Sequence, residues 1–215
     1  MTQKRPIGTS GLEVTPLALG GNVFGWTADE DTSFSILDAF VDAGGTMIDT
    51  ADVYTAWIPG HSGGESETVI GNWLKRDPSR RDKVVIATKV GFLEGLAPDK
   101  IATACDASLA RLGIDRIDLY YQHKDDQNVP LADSLGAFEC LVDAGKIKAV
   151  GLSQFTAERL DERWKPLATS GSRRRPRSSP GTISSSGRNM RTRFAMSPFV
   201  TGWLFSPFTA SPTAS

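Results

Sequence analysis

The chain has 215 residues, of which 40% are hydrophobic and 23% charged, and its formal net charge is −1. This composition is typical of a soluble globular protein with enough apolar residues for one core. No apolar run approaches the ~20 residues that a membrane helix needs, and the opening residues lack the basic start and apolar stretch of a secretory signal. We therefore expect a cytoplasmic protein without a membrane partner.

The first elements are short. Residues 4–7 and 12–15, separated by Ser10 and Gly11, predict a small hairpin. Residues 17–19 form an apolar run that ends in two glycines, and this run is the first predicted strand of the main sheet.

Strands and helices then alternate along the chain. The hydrophobic periodicity predicts strands over residues 46–49, 84–88, 117–122 and 148–152, and helices over residues 31–43, 65–75, 98–112 and 131–144, with a fifth helix beginning near Thr156. This alternation is typical of a parallel sheet with right-handed crossovers, either in a (β/α)8 barrel or in a doubly wound sheet. No Gly-x-Gly-x-x-Gly motif follows the first strand, which counts against a Rossmann domain. A complete barrel needs about 250 residues, so five units make an incomplete one.

Four polar residues stand near the ends of these predicted strands: Asp49, Tyr54, Lys89 and His123. In a parallel barrel the C-terminal ends of the strands converge on one open face. A carboxylate, a phenol, an ammonium and an imidazole gathered there would form a proton-donating site. Taken singly, each has a structural interpretation, as a turn cap, a packing aromatic or a solvated charge. His61, in a Gly/Ser-rich loop, is predicted to be a surface residue.

The segments around these residues resemble motifs of the aldo-keto reductases. They are residues 7–14 (IGTSGLEV), 47–54 (MIDTADVY), 87–91 (ATKVG), 119–123 (LYYQH) and 145–153 (GKIKAVGLS). The resemblance runs in register from about residue 5 to about residue 164. It implies a TIM barrel, incomplete here, that transfers hydride between NADP(H) and an aldehyde or ketone carbonyl.

The resemblance also implies a role for each of the four residues. Tyr54 would donate the proton to the carbonyl oxygen, and Lys89 would make its phenol more acidic. Asp49 would keep the ammonium charged and oriented, while His123 would hydrogen-bond the carbonyl oxygen.

Further positions match cofactor or substrate contacts of the family. Gly21, Asn22, Asp49, Ser153 and Gln154 are the predicted cofactor-binding residues, with Gln154 standing where the family has asparagine. The longer amide keeps the same donor and acceptor groups but shifts them. The loop residues Trp26 and Trp57 are predicted to line a pocket for a small-molecule carbonyl substrate. Packing in an interface or in the core is an equally good interpretation of both tryptophans.

The two cysteines, Cys105 and Cys140, fall in separate helical patterns and lack the spacing of metal ligands. They are predicted to be buried structural thiols, and no metal site is expected.

The pattern ends after Trp164. Residues 1–165 are predicted to be the N-terminal part of the barrel, and residues 166–215 an irregular or disordered tail. The tail holds seven arginines and no lysine or acidic residue, and its permitted codons, read across their boundaries, can spell barrel-like segments. We expect an out-of-frame C-terminus and no nucleic-acid partner. Two alternatives remain: an inactive truncated fragment, or a nucleotide-binding regulatory subunit of the same fold. The oligomeric state is left open.

Overall fold

The computed structural model describes residues 3–164 of the chain. The tail of residues 166–215, with its predicted change of reading frame, lies outside the described residues.

A two-stranded antiparallel hairpin opens the fold, formed by β1 (Arg5–Pro6) and β2 (Glu13–Val14). Parallel strands then alternate with helices in the order β3 (Ala18–Gly20), α1 (Glu30–Asp42), β4 (Met47–Asp49), α2 (Glu65–Arg76), β5 (Val85–Val90), α3 (Pro98–Leu112), β6 (Ile117–Gln122), α4 (Leu131–Asp143), β7 (Ile147–Leu152) and α5 (Ala157–Trp164).

Helix boundaries follow local chemistry. The Asp29 carboxylate accepts a hydrogen bond from the backbone N–H of Thr32 (2.9 Å) and caps α1. Helix α3 begins at Pro98 and is capped after Leu112 by Gly113, whose φ of +64° is the left-handed conformation that glycine adopts without strain.

Three details differ from the sequence prediction. The first sheet strand is Ala18–Gly20, and Leu17 is 67% exposed. A 3-10 helix over Pro78–Lys83 was not predicted; Asp77 caps it by accepting from the backbone N–H of Ser79. Strand β5 continues through Lys89 to Val90, because the ladder with β6 extends to the pair Val90–Gln122.

The five parallel strands pair in the order β3-β4-β5-β6-β7, so each strand pairs with the next one in the chain. A doubly wound sheet instead reverses its strand order at a switch point. The sequential order is that of a (β/α) barrel, and the predicted incomplete barrel is confirmed for the described residues.

Alternate residues of each strand face opposite sides of the sheet. Ile48, Ile86 and Val150 pack with the helices in one large cluster, which also contains the fully buried Trp73. On the inner face, Ala87, Leu119 and Ala149 pack against Ile7, Leu12 and Val14 of the opening hairpin. The hairpin therefore covers part of the inner face of the sheet, and Asp49, Lys89 and His123 lie at the strand ends.

The cysteine prediction was half wrong. Cys105 is buried in α3, where burial raises the pKa of its thiol to about 12, but Cys140 is exposed on α4. Position 140 lies on the outer side of its helix, which the helical pattern alone did not resolve. His61 lies half-buried in the loop before α2, so it is less exposed than a surface loop implies.

Candidate active site

The Lys89 ammonium is the centre of the site. Lys89 is 8% exposed, and its Nζ donates to Asp49 Oδ2 (2.6 Å), to Thr50 O (2.8 Å) and to Tyr54 Oη (2.8 Å). Three acceptors satisfy the three N–H donors of the buried ammonium. The structure therefore brings Asp49, Tyr54 and Lys89 together around one cation.

The direction of the bond to Tyr54 has a chemical consequence. An ammonium can only donate, so Tyr54 Oη is the acceptor of this bond. The hydrogen of the phenol is then available to a second acceptor. A proton donor for a bound substrate needs this arrangement.

The chain after β4 sets the position of Tyr54. Thr50 N donates to Ala87 O (2.9 Å) and Asp52 N donates to Lys89 O (3.1 Å), so the segment remains paired with β5 beyond the strand end. A turn closed by Tyr54 N and Ala51 O (3.3 Å) then carries the phenol over Lys89.

Burial and charge have opposing effects on the pKa values of Lys89 and Tyr54. Burial opposes the charge of Lys89, but Asp49 and Tyr54 more than offset it, and the pKa of the ammonium lies above its ordinary value. Burial raises the pKa of Tyr54 above that of a free phenol, although Lys89 acts to lower it. The predicted effect of Lys89 on the phenol is therefore present, but burial outweighs it, so the pKa of Tyr54 lies above that of a free phenol.

His123 follows β6 and is 7% exposed, and its backbone N–H donates to Val90 O (2.8 Å). Its ring centroid lies 6.0 Å from that of Tyr54. Burial, with Lys89 and Lys124 nearby, lowers the pKa of the imidazole to about 3, so the ring is neutral at ordinary pH. Its Nδ1 is buried and hydrogen-bonds to none of the described residues. His123 thus places a neutral imidazole beside the phenol.

An aromatic wall adjoins the phenol. The Trp57 ring packs edge-on at 6.3 Å from Tyr54 and 6.2 Å from Trp26, and the two tryptophans are 52% and 44% exposed. On the other side, Phe92 lies 4.9 Å from the His123 ring. The sequence prediction missed Phe92; its only signal was its position two residues after the end of β5.

The other predicted residues lie at the same edge of the sheet. Ser153 N donates to Gln122 O (3.0 Å), and the exposed Gln154 has a φ of +56°, unusual for a residue with a side chain. Within residues 3–160, the side chains of Asn22, Ser153 and Gln154 make no hydrogen bond. The donors and acceptors of Ser153 and Gln154 fit a ligand carboxamide, which presents a carbonyl acceptor and an amino group with two N–H donors.

Gly21 is constrained by the protein itself. A Cβ there would lie 2.9 Å from Ser66 Oγ and 3.3 Å from Asp49 O, and Gly21 N already donates to Asp49 O (2.8 Å). The tight packing of β3, β4 and α2 accounts for this glycine without a ligand.

A cavity of about 640 Å³ lies beside α2, with Trp26, Gly64 and Arg111 among its lining residues. None of the four candidate catalytic residues lines it, so the chemistry is not placed there. In the described part of the chain, no cluster of three His, Cys, Asp or Glu side chains could hold a metal ion.

Comparison with known proteins places this geometry in a family. The profile of the Aldo/keto reductase family matches residues 16–170. The chain is 38% identical over 160 residues to the uncharacterized oxidoreductase YrpG of Bacillus subtilis (strain 168), which covers 69% of this chain and 48% of YrpG. It is 39% identical over 157 residues to the aldo-keto reductase str7 of Strobilurus tenacellus, covering 72% of this chain and 44% of str7.

A solved structure agrees. The holo form of aldo-keto reductase AKR11C1 from Bacillus halodurans superimposes with a TM-score of 0.66 at 33% identity, covering 77% of this chain and 54% of that one. The chain thus spans about half the length of YrpG, str7 and AKR11C1. The sequential barrel strands, the Asp49–Lys89–Tyr54 cluster and these matches agree: the chain belongs to the aldo/keto reductase family of oxidoreductases.

Proposed function

We propose that the protein catalyses NADP(H)-dependent hydride transfer between the nicotinamide and the carbonyl carbon of an aldehyde or ketone. The observation that carries the proposal is the buried Lys89 ammonium, which donates at once to Asp49 Oδ2 and to Tyr54 Oη. A cation against the oxygen of a phenol stabilises the phenolate that forms when the phenol gives up its proton.

When bound, the nicotinamide supplies the hydride. Ser153 and Gln154 would hold its carboxamide, Gly21 and Asn22 would lie near its ribose, and Asp49 would be a further cofactor contact. The choice of NADP over NAD rests on the family resemblance alone.

The protein side of the reaction is a proton transfer. As the carbonyl carbon gains a hydride, its oxygen gains negative charge and takes the proton of Tyr54 Oη. His123, being neutral, donates one hydrogen bond to the same oxygen and stabilises this charge. Lys89 stays protonated and faces the new phenolate, and Asp49 keeps the ammonium in place.

The substrate would be a small carbonyl compound with an apolar body. Trp57 packs against Tyr54 and Trp26, and Phe92 packs against His123, so these rings would offer aromatic faces and edges to such a body. We place the protein in the cytoplasm and assign it no nucleic-acid or membrane partner. Within the described residues, no helix has both the length and the apolar character to span a bilayer.

Replacing Tyr54 with phenylalanine tests the proposal. Tyr54→Phe keeps the ring but removes the proton, so kcat for aldehyde reduction should fall by about 100-fold or more while NADPH binding is kept. The measurement is NADPH oxidation with a panel of aldehydes, together with a fluorescence titration of NADPH.

The matched control is Tyr120→Phe, since Tyr120 is fully buried on the helix side of the sheet against Phe138. Unchanged turnover in Tyr54→Phe would reject Tyr54 as the donor. Cofactor binding without turnover by the original chain would favour the regulatory subunit. Absence of both binding and cooperative unfolding would favour the inactive fragment.

A further inference from the structure

The first turn of α2 lies behind the active site, on the helix side of the sheet. Its three consecutive side chains, Glu65, Ser66 and Glu67, each bond to a different segment that carries a site residue. None of the three hydrogen-bonds to Lys89 or Tyr54, so their polar effect on the site passes through their partners.

Ser66 joins two strand ends. Its hydroxyl donates to Gly21 O, just after β3 (2.7 Å), and pairs with the hydroxyl of Thr50 (2.7 Å). Thr50 directly follows Asp49, and its carbonyl is one of the three acceptors of Lys89. The buried serine therefore fixes the backbone that presents both the carboxylate and this carbonyl.

Glu67 holds β5, the third strand of the five-stranded sheet. Its carboxylate is fully buried; Oε1 accepts from Thr88 Oγ1 (2.6 Å), and Oε2 accepts from Arg111 Nε and Nη2 (both 2.7 Å). A buried carboxylate is tolerated only when paired and hydrogen-bonded in this way. Thr88 precedes Lys89 on β5, and neighbouring strand residues face opposite sides. Holding Thr88 on the helix side therefore orients Lys89 on the inner side.

Glu65 holds the turn that carries the phenol. Its Oε2 accepts from Thr55 Oγ1 (2.6 Å), and its Oε1 accepts from the backbone N–H of Ser62 (2.9 Å). Thr55 directly follows Tyr54 and has a φ of +73°, a strained value for a β-branched residue. The bond to Glu65 supports the strained residue beside the phenol.

We propose that Glu65, Ser66 and Glu67 are positioning residues of the active site, which hold Tyr54, Asp49 and Lys89 in mutual register from the opposite face of the sheet. They act through Thr55, Thr50 and Thr88. The kinetic consequence rests on the proposed function, whereas the effect on the Lys89 ammonium does not.

The test removes one hydroxyl from the full chain. Thr88→Val keeps the shape of the side chain and deletes the donor to Glu67, Thr88→Ser retains the donor, and Thr103→Val deletes a distant exposed hydroxyl that bonds Asp99 O in α3. Hydrogen exchange of the Lys89 ammonium is measured by 15N NMR, with the signal assigned through its loss in Lys89→Met. Thr88→Val should accelerate the exchange about tenfold, the effect of losing roughly one hydrogen bond. Thr88→Ser and Thr103→Val should stay near the original rate.

Kinetics give a second readout. Thr88→Val should lower kcat for carbonyl reduction by about tenfold or more with little change in KM, because misplaced catalytic groups slow the chemical step. A purely structural role would lower the melting temperature and leave both the ammonium exchange and the kcat of the folded protein unchanged, which would overturn the proposal.

A second variant guards against failure to fold. Glu65→Gln alters a half-buried side chain at the surface end of the turn. Like Thr88→Val, it should lower kcat and accelerate the exchange of the Lys89 ammonium. No change in either quantity for this variant would also overturn the proposal. If the original chain reduces no carbonyl compound, the proposed function fails, and ammonium exchange alone decides the positioning role.

Discussion

The buried His123 and the half-buried Asp52, both near the strand ends, have pKa values displaced in opposite directions. Burial lowers the pKa of His123 to about 3, whereas burial and the nearby Glu67 raise the pKa of Asp52 to about 7. In both cases the protein favours the neutral form, because a charged group loses hydration when it is buried.

The neutral His123 should make the protein sensitive to acid. A histidine in the unfolded chain takes up a proton below a pKa of about 6.5, whereas His123 in the folded protein does so only near pH 3. The contribution of His123 to the free energy of unfolding is therefore fully present above pH 6.5 and falls as the pH is lowered. Between pH 8 and pH 5 the loss from this residue should be about 2 kcal/mol. Urea unfolding at both pH values gives the loss of stability between pH 8 and pH 5 for the original chain and for His123→Gln. The difference between these two losses is the contribution of His123.

That difference also removes the opposing effect of Asp52, whose raised pKa makes stability fall as the pH rises from about 4 to 7. Equal pH dependence in the original chain and in His123→Gln would show that the folded imidazole is protonated at pH 5.

Helix α2 is the element on which the site depends most. Gly71, in its middle, allows α2 to approach the end of α3, where Arg111 reaches Glu67. A Cβ at position 71 would lie 2.2 Å from Arg111 O, a backbone atom that cannot move aside without displacing the helix. A glycine that is unfavourable for a helix is therefore explained by the contact between two helices.

Gly71→Ala should therefore destabilise the protein, by about 1–3 kcal/mol, as in other overpacked cores. The matched control is Gly136→Ala in α4, where a Cβ would meet no atom within 4 Å. That substitution should stabilise the protein by about 0.5–1 kcal/mol, since alanine is the better helix former. Urea midpoints of the two variants compare them directly. A Gly71→Ala protein as stable as the original would contradict the close approach of α2 and α3.

At the scale of the whole molecule, the sheet is held from two sides. Helices cover one face, and the opening hairpin covers part of the other, where Thr15 and Thr46 exchange hydrogen bonds at the start of β4. Within the described residues, β4, β5 and β6 pair on both sides, whereas β3 and β7 pair on one.

Amide hydrogen exchange should reflect how many sides of each strand are paired. The amides of β5 and β6 should exchange slowest, because both edges of these strands are hydrogen-bonded within the sheet, and those of β3 and β7 should exchange faster. Mass spectrometry of peptides from the full chain measures the rates. Protection of β7 equal to that of β5 would contradict this expected order and would indicate that β7 is hydrogen-bonded on both sides in the full chain.

Much of the fold was predictable because its signals are local. The period of apolar residues and the stops at Gly44, Gly113 and Gly145 placed α1, α3 and α4 close to their observed bounds. The 3-10 helix and the exposure of Cys140 were missed, since neither leaves an apolar period of its own. The cluster of Asp49, Tyr54 and Lys89 was predicted from strand ends, whereas Phe92 was not, because an aromatic residue in a loop has no distinctive pattern.

The sequence by itself determined the order of strands and helices and which polar residues stand at the strand ends, because hydrophobic period and turn residues act over a few positions. Only the tertiary structure decided that Lys89 donates to Tyr54 Oη and that Glu67 holds Thr88 behind it. It also decided that the pKa of Tyr54 is raised. That direction depends on the balance between burial and a neighbouring charge, and both are set by segments far apart in the chain.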